Sequence, residues 1–227
     1  MSNLGLMPEC VPPSSPRFDP PYTDLKDHRR KADELNGNLA DLTRWSSSFS
    51  HSICLLMFSA DHQAGFEQLA EKVRYPVWAG WRTIAARSAV LAARNYGQAL
   101  AAASAAAKYF PLFRSNDSLA VLSATRNRFD SLFPNVDMVR HSVSHPEYYH
   151  NAKKYTGSDN DFSSPLFNVR NSRNVQIQDG IIGDVFHCTF SGEHLSCLIT
   201  TAAAIELAFM THALFDGLKA AAIQGDK

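Results

Sequence analysis

The sequence predicts a mainly α-helical bundle with a small β-hairpin or meander inserted before the C-terminal helix. Three observations predict it. Apolar residues recur at three- and four-residue spacing over most of the 227 residues. One long stretch is dominated by alanine, the strongest helix former. Between about 175 and 198 the apolar period shortens to two, and helical spacing then returns.

The elements follow in order. Residues 1–23 carry Pro8, Pro12, Pro13, Pro16, Pro20 and Pro21, a density that forbids a helix and predicts an extended, mobile arm outside the core. The rest, 24–227, reads as a single helical-bundle domain. A long helix is expected from Asp24 to about Ser59, with a break possible near Asn36-Gly37, because Leu25, Leu35, Leu39, Leu42, Trp45, Phe49 and Ile53 mostly share a face. A shorter helix covers about 64–75 and ends before Pro76. The next, about 77–110, carries Trp78, Trp81, Ala85, Ala89, Ala92, Tyr96, Ala99, Ala103 and Ala106 as one stripe, read as core. Its small side chains let a neighbouring helix approach closely.

A fourth helix, about 118–133, turns Leu119, Leu122, Arg126, Phe129 and Phe133 to one side, with Asp117 or Ser118 as cap. Asn135 caps a short helix, about 136–145, in which Val136, Val139 and Val143 face inward and Pro146 enforces the stop. Residues 146–174 are polar and read as a loop. The hairpin or meander spans about 175–198, turning at Gly180, Gly183 and Ser191-Gly192. The final helix, about 201–223, is capped by Thr200 or Thr201 and carries Ile205, Phe209, His212 and Phe215.

Composition narrows the function classes. Lys+Arg and Asp+Glu both number 22, so no bulk field gathers nucleic acid or anionic membrane, and a nucleic-acid role needs a local basic site. Cys10, Cys54, Cys188 and Cys197 lack CxxC or zinc-ribbon spacing and read as buried thiols; only Cys188 and Cys197, flanking the hairpin, are placed to face each other. No signal peptide or membrane-length apolar run is visible, so the expected setting is cytoplasmic, with no membrane partner.

The segment Arg140-His141-Ser142-Val143-Ser144-His145-Pro146, after Phe133-Pro134-Asn135, carries the most suggestive chemistry. An arginine followed by a polar residue, with a histidine four residues further on, resembles the signature of the HEPN superfamily (higher-eukaryote and prokaryote nucleotide-binding domains). The resemblance covers about 78–150, with the final helix as a possible addition. It implies a helical bundle acting as a homodimer, and a metal-independent ribonuclease or RNA- or nucleotide-binding protein of toxin–antitoxin or defence type, with an antitoxin as possible partner. By this resemblance Arg140 holds the scissile phosphate, His145 is general acid/base and His141 orients them; no cofactor is required. The residue types suit the chemistry. A guanidinium fork matches phosphate oxygens, and an imidazole titrates near neutrality.

Spacing alone is weak, since Arg44 and His51 satisfy a looser version of it. Five residues of ideal helix rotate a side chain by roughly 140°. Arg140 and His145 therefore converge only if the helix unwinds before Pro146 or a second protomer contributes. The bland alternatives stay open: Arg140 solvated, and His145 a cap at the helix C-terminus.

Three further features were weighed. Tyr148, Tyr149, Lys153 and Lys154, with Tyr155, form an aromatic-basic patch able to stack and neutralise single-stranded RNA, or to fold back on the bundle. His141 and His145 share the i, i+4 spacing of metal ligands, a distant route to a metal-dependent enzyme, but no HExxH glutamate accompanies them and no metal is expected. His187, His194 and His212 are expected as hairpin and helix residues without a cluster. A non-catalytic helical interaction protein is the other reading of the same scaffold.

Overall fold

The computed structural model describes residues 10–18, 26–66, 75–114, 118–144, 162–164, 169–172, 180–190 and 193–225. Five helices, a one-turn helix and two small sheets follow in the order α1 (Lys26–Phe66), α2 (Tyr75–Ala107), α3 (Pro111–Arg114), α4 (Ser118–Leu132), α5 (Val136–Ser144), β1 (Phe162–Ser164), β2 (Val169–Ser172), β3 (Gly180–Ile182), β4 (Val185–Phe190), β5 (Glu193–Leu198) and α6 (Thr201–Gly225). The mainly helical class with a small sheet before the last helix is the one the sequence predicts.

The long pair α1 and α2 forms the centre of the bundle, and α4 and α6 pack beside it. Leu35, Leu39, Leu42, Phe49 and Ile53 of α1 are buried against Ala85, Ala89, Val90, Ala93, Leu100 and Ala103 of α2. Alanine on one helix and leucine or phenylalanine on the other let bulky side chains seat without forcing the axes apart. Close approach recurs at Gly97, where an added Cβ would stand 2.6 Å from Cε1 of Phe129.

A buried polar link joins α2 to α6. The Thr211 hydroxyl donates to the Leu207 carbonyl at 2.8 Å, leaving its oxygen to accept from the Tyr96 hydroxyl at 3.1 Å. Burial pushes the Tyr96 phenol up to about 12, opposed by the Thr211 hydrogen bond.

Several expectations need correction. α1 runs unbroken through Asn36-Gly37 for 41 residues. The Asn36 amide clamps the N-terminal arm there, receiving the Phe18 N–H and donating to the Phe18 carbonyl, each at 2.9 Å. The arm itself is no detached tail over residues 10–18. Thr43 donates to the Pro13 carbonyl at 3.0 Å, Ser50 to the Cys10 carbonyl at 3.2 Å, and Phe18 meets Phe113 edge to face. The arm thus runs antiparallel to α1, covering about 21 Å of helix with a span near the extended polyproline rise. Cys10 joins the core.

α1 continues to Phe66, so residues 64–66 of the expected shorter helix belong to it, and the rest of that expectation, 67–74, lies outside the described part. Pro76 lies in the first turn of α2, where a missing N–H costs nothing. α2 ends at Ala107, and Pro111 opens the one-turn α3. Trp81 is 41% exposed, so the aromatic start of the α2 stripe is surface; the side chain of Trp78 lies outside the described part. The stretch expected to be a loop contains β1 and β2, paired antiparallel. On α6, Phe209 and His212 are exposed. The buried face is instead Ala203, Ala204, Leu207, Met210, Leu214, Phe215 and Leu218. Its N-terminus has the expected cap, the Thr200 hydroxyl accepting from the Ala203 N–H at 2.9 Å.

The second sheet is a meander, β3-β4-β5. Ile182 pairs with Val185 across a two-residue turn that begins with Gly183 at φ 55°, a conformation glycine takes without a Cβ penalty. Phe186, Cys188, Leu195 and Cys197 point to one face and are buried with α5 and the bundle. Cys188 and Cys197 are diagonal neighbours and remain thiols. Burial, then the nearby Cys188, pushes the Cys197 thiol up to about 12.

Candidate functional site

The helix bearing the arginine motif has a fixed entry. Asn135 sits in the left-handed region at φ 62°, one of the few non-glycine residues that tolerate it. It ends the run from α4. Its main-chain carbonyl then receives the Met138 and Val139 N–H groups at 2.9 and 3.0 Å, opening α5. Val136, Val139, Ser142 and Val143 turn inward, which sends Arg140 and His141 toward the periphery.

Arg140 is half-buried and makes no hydrogen bond or ion pair with a described residue. The other arginines on this side are engaged. Arg94 of α2 reaches Asp137 of α5 at 3.2 Å and also bonds Gln98. Arg126 holds Asp130 at 2.9 Å and donates to the Gly97 carbonyl at 2.9 Å. Arg128 pairs with Glu206 and covers the Phe209 ring at 4.9 Å.

Arg94 and Arg126 face an open groove of about 520 Å³ between α2, α4 and α5, floored by Gly97, Phe129 and Phe133 and edged by Asp130 and Asp137. Arg140 lies one turn beyond Asp137 along α5. An incoming anion meets two arginines already neutralised by carboxylates in the groove. Beside the groove stands Arg140, whose guanidinium has no carboxylate partner among the described residues.

His141 turns to the sheet. Its ring meets Phe190 of β4 edge to face, centroids 5.0 Å apart. The second residue of the motif is therefore part of the seam between α5 and the meander. His145, the third, lies outside the described residues, as do Tyr148, Tyr149, Lys153 and Lys154. The described part of the motif thus presents one arginine outward and one histidine against the sheet.

Sequence reasoning missed two features. The groove was invisible, because it depends on how α4 crosses α2 at Gly97. The second is a histidine pair on the meander. His187 Nδ1 and His194 Nε2 are 3.1 Å apart, although these residues were expected to stand apart. The signal existed: a two-residue connection after Phe190 fixes a register in which residues 187 and 194 are diagonal neighbours. His212 is separate from the pair and points its Nε2 at the Val11 carbonyl at 3.4 Å. Among the described residues no group of three or more His, Cys, Asp or Glu is placed to hold a metal. No described helix is long and apolar enough to cross a membrane.

No family model matches the chain, and no curated protein or solved structure is significantly similar to it.

Proposed function

We propose that the chain is a HEPN-like protein whose α5 edge binds RNA or a nucleotide through Arg140 and, working as a dimer, cleaves RNA without a metal. The reading is supported above all by Arg140. It is a half-exposed guanidinium without a carboxylate partner among the described residues, on a helix anchored by three valines. Arg94, Arg126 and Arg128 nearby are all paired with acids. A fork left unpaired on a rigid element keeps its donors for a phosphate.

His145 follows the last residue of α5 and is the acid/base in this reading. The charge balance of the whole chain makes binding depend on this local site, so affinity falls steeply with salt. A toxin–antitoxin or defence role, with an antitoxin covering α5, is the biological setting proposed.

Purified protein incubated with mixed RNA in chelator is expected to cleave it, with Arg140→Ala and His145→Ala each reducing the rate by about 10²–10⁴-fold. Equal cleavage by wild type and both variants overturns the proposal. Loss of cleavage in chelator points instead to metal chemistry through His141 and His145. Light scattering is expected to give a dimer.

A second reading is favoured by one observation, the edge contact between His141 and Phe190. It makes α5 a structural clasp between bundle and sheet, and the protein a non-catalytic interaction module. Absence of RNA binding together with destabilisation in His141→Ala is the outcome that selects it.

A further inference from the structure

The meander carries a pair of imidazoles that the arginine motif does not use. On β4 and β5, His187 faces Ser196 and Thr189 faces His194, which makes the two histidines diagonal neighbours on the sheet face opposite Phe186, Cys188, Leu195 and Cys197. Diagonal cross-strand positions are within reach of long side chains. The nitrogens stand 3.1 Å apart, and the ring planes lie within 12° with centroids 5.1 Å apart. Centroids so distant for so short an N–N separation mean that the rings meet edge to edge, each nitrogen directed at the other.

We propose that His187 Nδ1 and His194 Nε2 form a two-histidine chelate for a divalent transition-metal ion, with copper(II) bound more tightly than nickel(II) or zinc(II). At metal–nitrogen distances of about 2.0–2.1 Å, a 3.1 Å N–N separation corresponds to an N–metal–N angle of about 98°. That lies between square-planar and tetrahedral values, so the bite suits all three ions and the affinity order follows their intrinsic preference for nitrogen. His187 is 9% exposed and supplies the fixed arm. His194 is exposed and supplies the arm whose ring turns to bring its own lone pair onto the ion at His187 Nδ1.

The proton inventory closes. In the neutral pair one ring hydrogen lies between the two nitrogens. Metal binding moves it to the outer nitrogen of the same ring, leaving His187 with Nε2–H and His194 with Nδ1–H, and no net proton is released. No third His, Cys, Asp or Glu completes a cluster among the described residues.

The test is calorimetric titration of the full chain, stripped of metal by chelator, with copper(II), nickel(II) and zinc(II) separately at pH 7.5. One site with copper(II) tightest is expected. His194→Ala, on an exposed strand position and checked for fold by circular dichroism, should weaken it by at least about tenfold, the scale on which even outer-shell partners act. His51→Ala, an exposed histidine of α1, should leave it unchanged. Copper(II) electron paramagnetic resonance should show two imidazole nitrogens in wild type and one in His194→Ala. Undiminished affinity and two coupled nitrogens in His194→Ala overturn the proposal, as does equal weakening by His51→Ala.

Discussion

The helical bundle and the α5–meander side bury apolar surface by opposite means. In the bundle, α1 has 41 residues and α2 has 33, and the large buried side chains of α1 pack against several others. Phe49, Phe129 and Phe133 form a continuous aromatic chain, with ring centroids 5.5 Å and 5.3 Å apart. On the other side, α5 has nine residues and the meander strands three to six. That side is closed by a few contacts, among them His141 on Phe190 and Arg82 reaching the Gly183 carbonyl at 3.3 Å. The difference teaches where each kind of residue can be spared. The thin side keeps Arg140 outward and two histidines side by side.

Core truncation should separate the two sides most strongly. Phe49→Ala is expected to lower the unfolding free energy by about 3–5 kcal/mol, read by urea denaturation, whereas His141→Ala should cost under about 1 kcal/mol. A loss in His141→Ala as large as that in Phe49→Ala would break the comparison. Next comes Gly97→Ala. Alanine gains about 1 kcal/mol of helix propensity, but its Cβ meets the fixed Phe129 ring, and the net effect is a loss of about 1–3 kcal/mol.

The Tyr96–Thr211 link sharpens the same point. Thr211→Val removes the acceptor of a buried phenol and should cost about 1–3 kcal/mol. Tyr96→Phe leaves Thr211 bonded to Leu207 and should cost only about 0.5–1.5 kcal/mol. Thermal or chemical unfolding of both variants checks the order. At alkaline pH the raised Tyr96 adds a second signature: its stabilisation is complete below pH 10 and is lost between pH 10 and about 12.

The histidine pair has the reverse pH dependence. Both imidazoles are lowered in the folded chain from 6.5, so the unfolded chain takes up protons first as the pH falls. The stability contributed is complete above pH 6.5 and declines below it. Melting temperatures between pH 7.5 and 5 should fall less steeply in His194→Ala than in wild type. The smallest structural effect is expected for Arg140→Ala. Its stability should stay within about 0.5 kcal/mol of wild type, while RNA binding drops and the salt dependence flattens by about one phosphate contact.

Much of the fold was legible in the sequence for a local reason. The stripe of Leu35, Leu39, Leu42 and Phe49, the alanine run of α2 and the capping Thr200 each report on their own neighbourhood, and helices are held by neighbours in sequence. The errors came where distant parts decide. Residues 10–18 read as an extended, mobile arm excluded from the core because proline forbids helix, with packing on the body or on a partner left open. Proline does not forbid packing, and Asn36, Thr43 and Ser50 bind the arm's backbone. Asn36-Gly37 read as a break because both are poor helix formers, yet the packing of α1 on α2 overrides a propensity cost of about 1 kcal/mol. Of Ile205, Phe209, His212 and Phe215, expected on α6, Phe215 is buried but Phe209 and His212 are exposed, because periodicity gives a face only to within one step. Neighbours choose which step is buried.

By itself, the sequence determined the helical class, the order of the elements and the short, proline-bounded helix bearing Arg140. These follow from spacing, propensity and capping, which act over a few residues. The tertiary structure alone decided that Arg140 has no acidic partner among the described residues while Arg94, Arg126 and Arg128 find acids. It also turned His141 onto Phe190 and brought His187 within 3.1 Å of His194. Those outcomes depend on which faces meet across the chain, and no local rule fixes a contact between residues far apart in sequence.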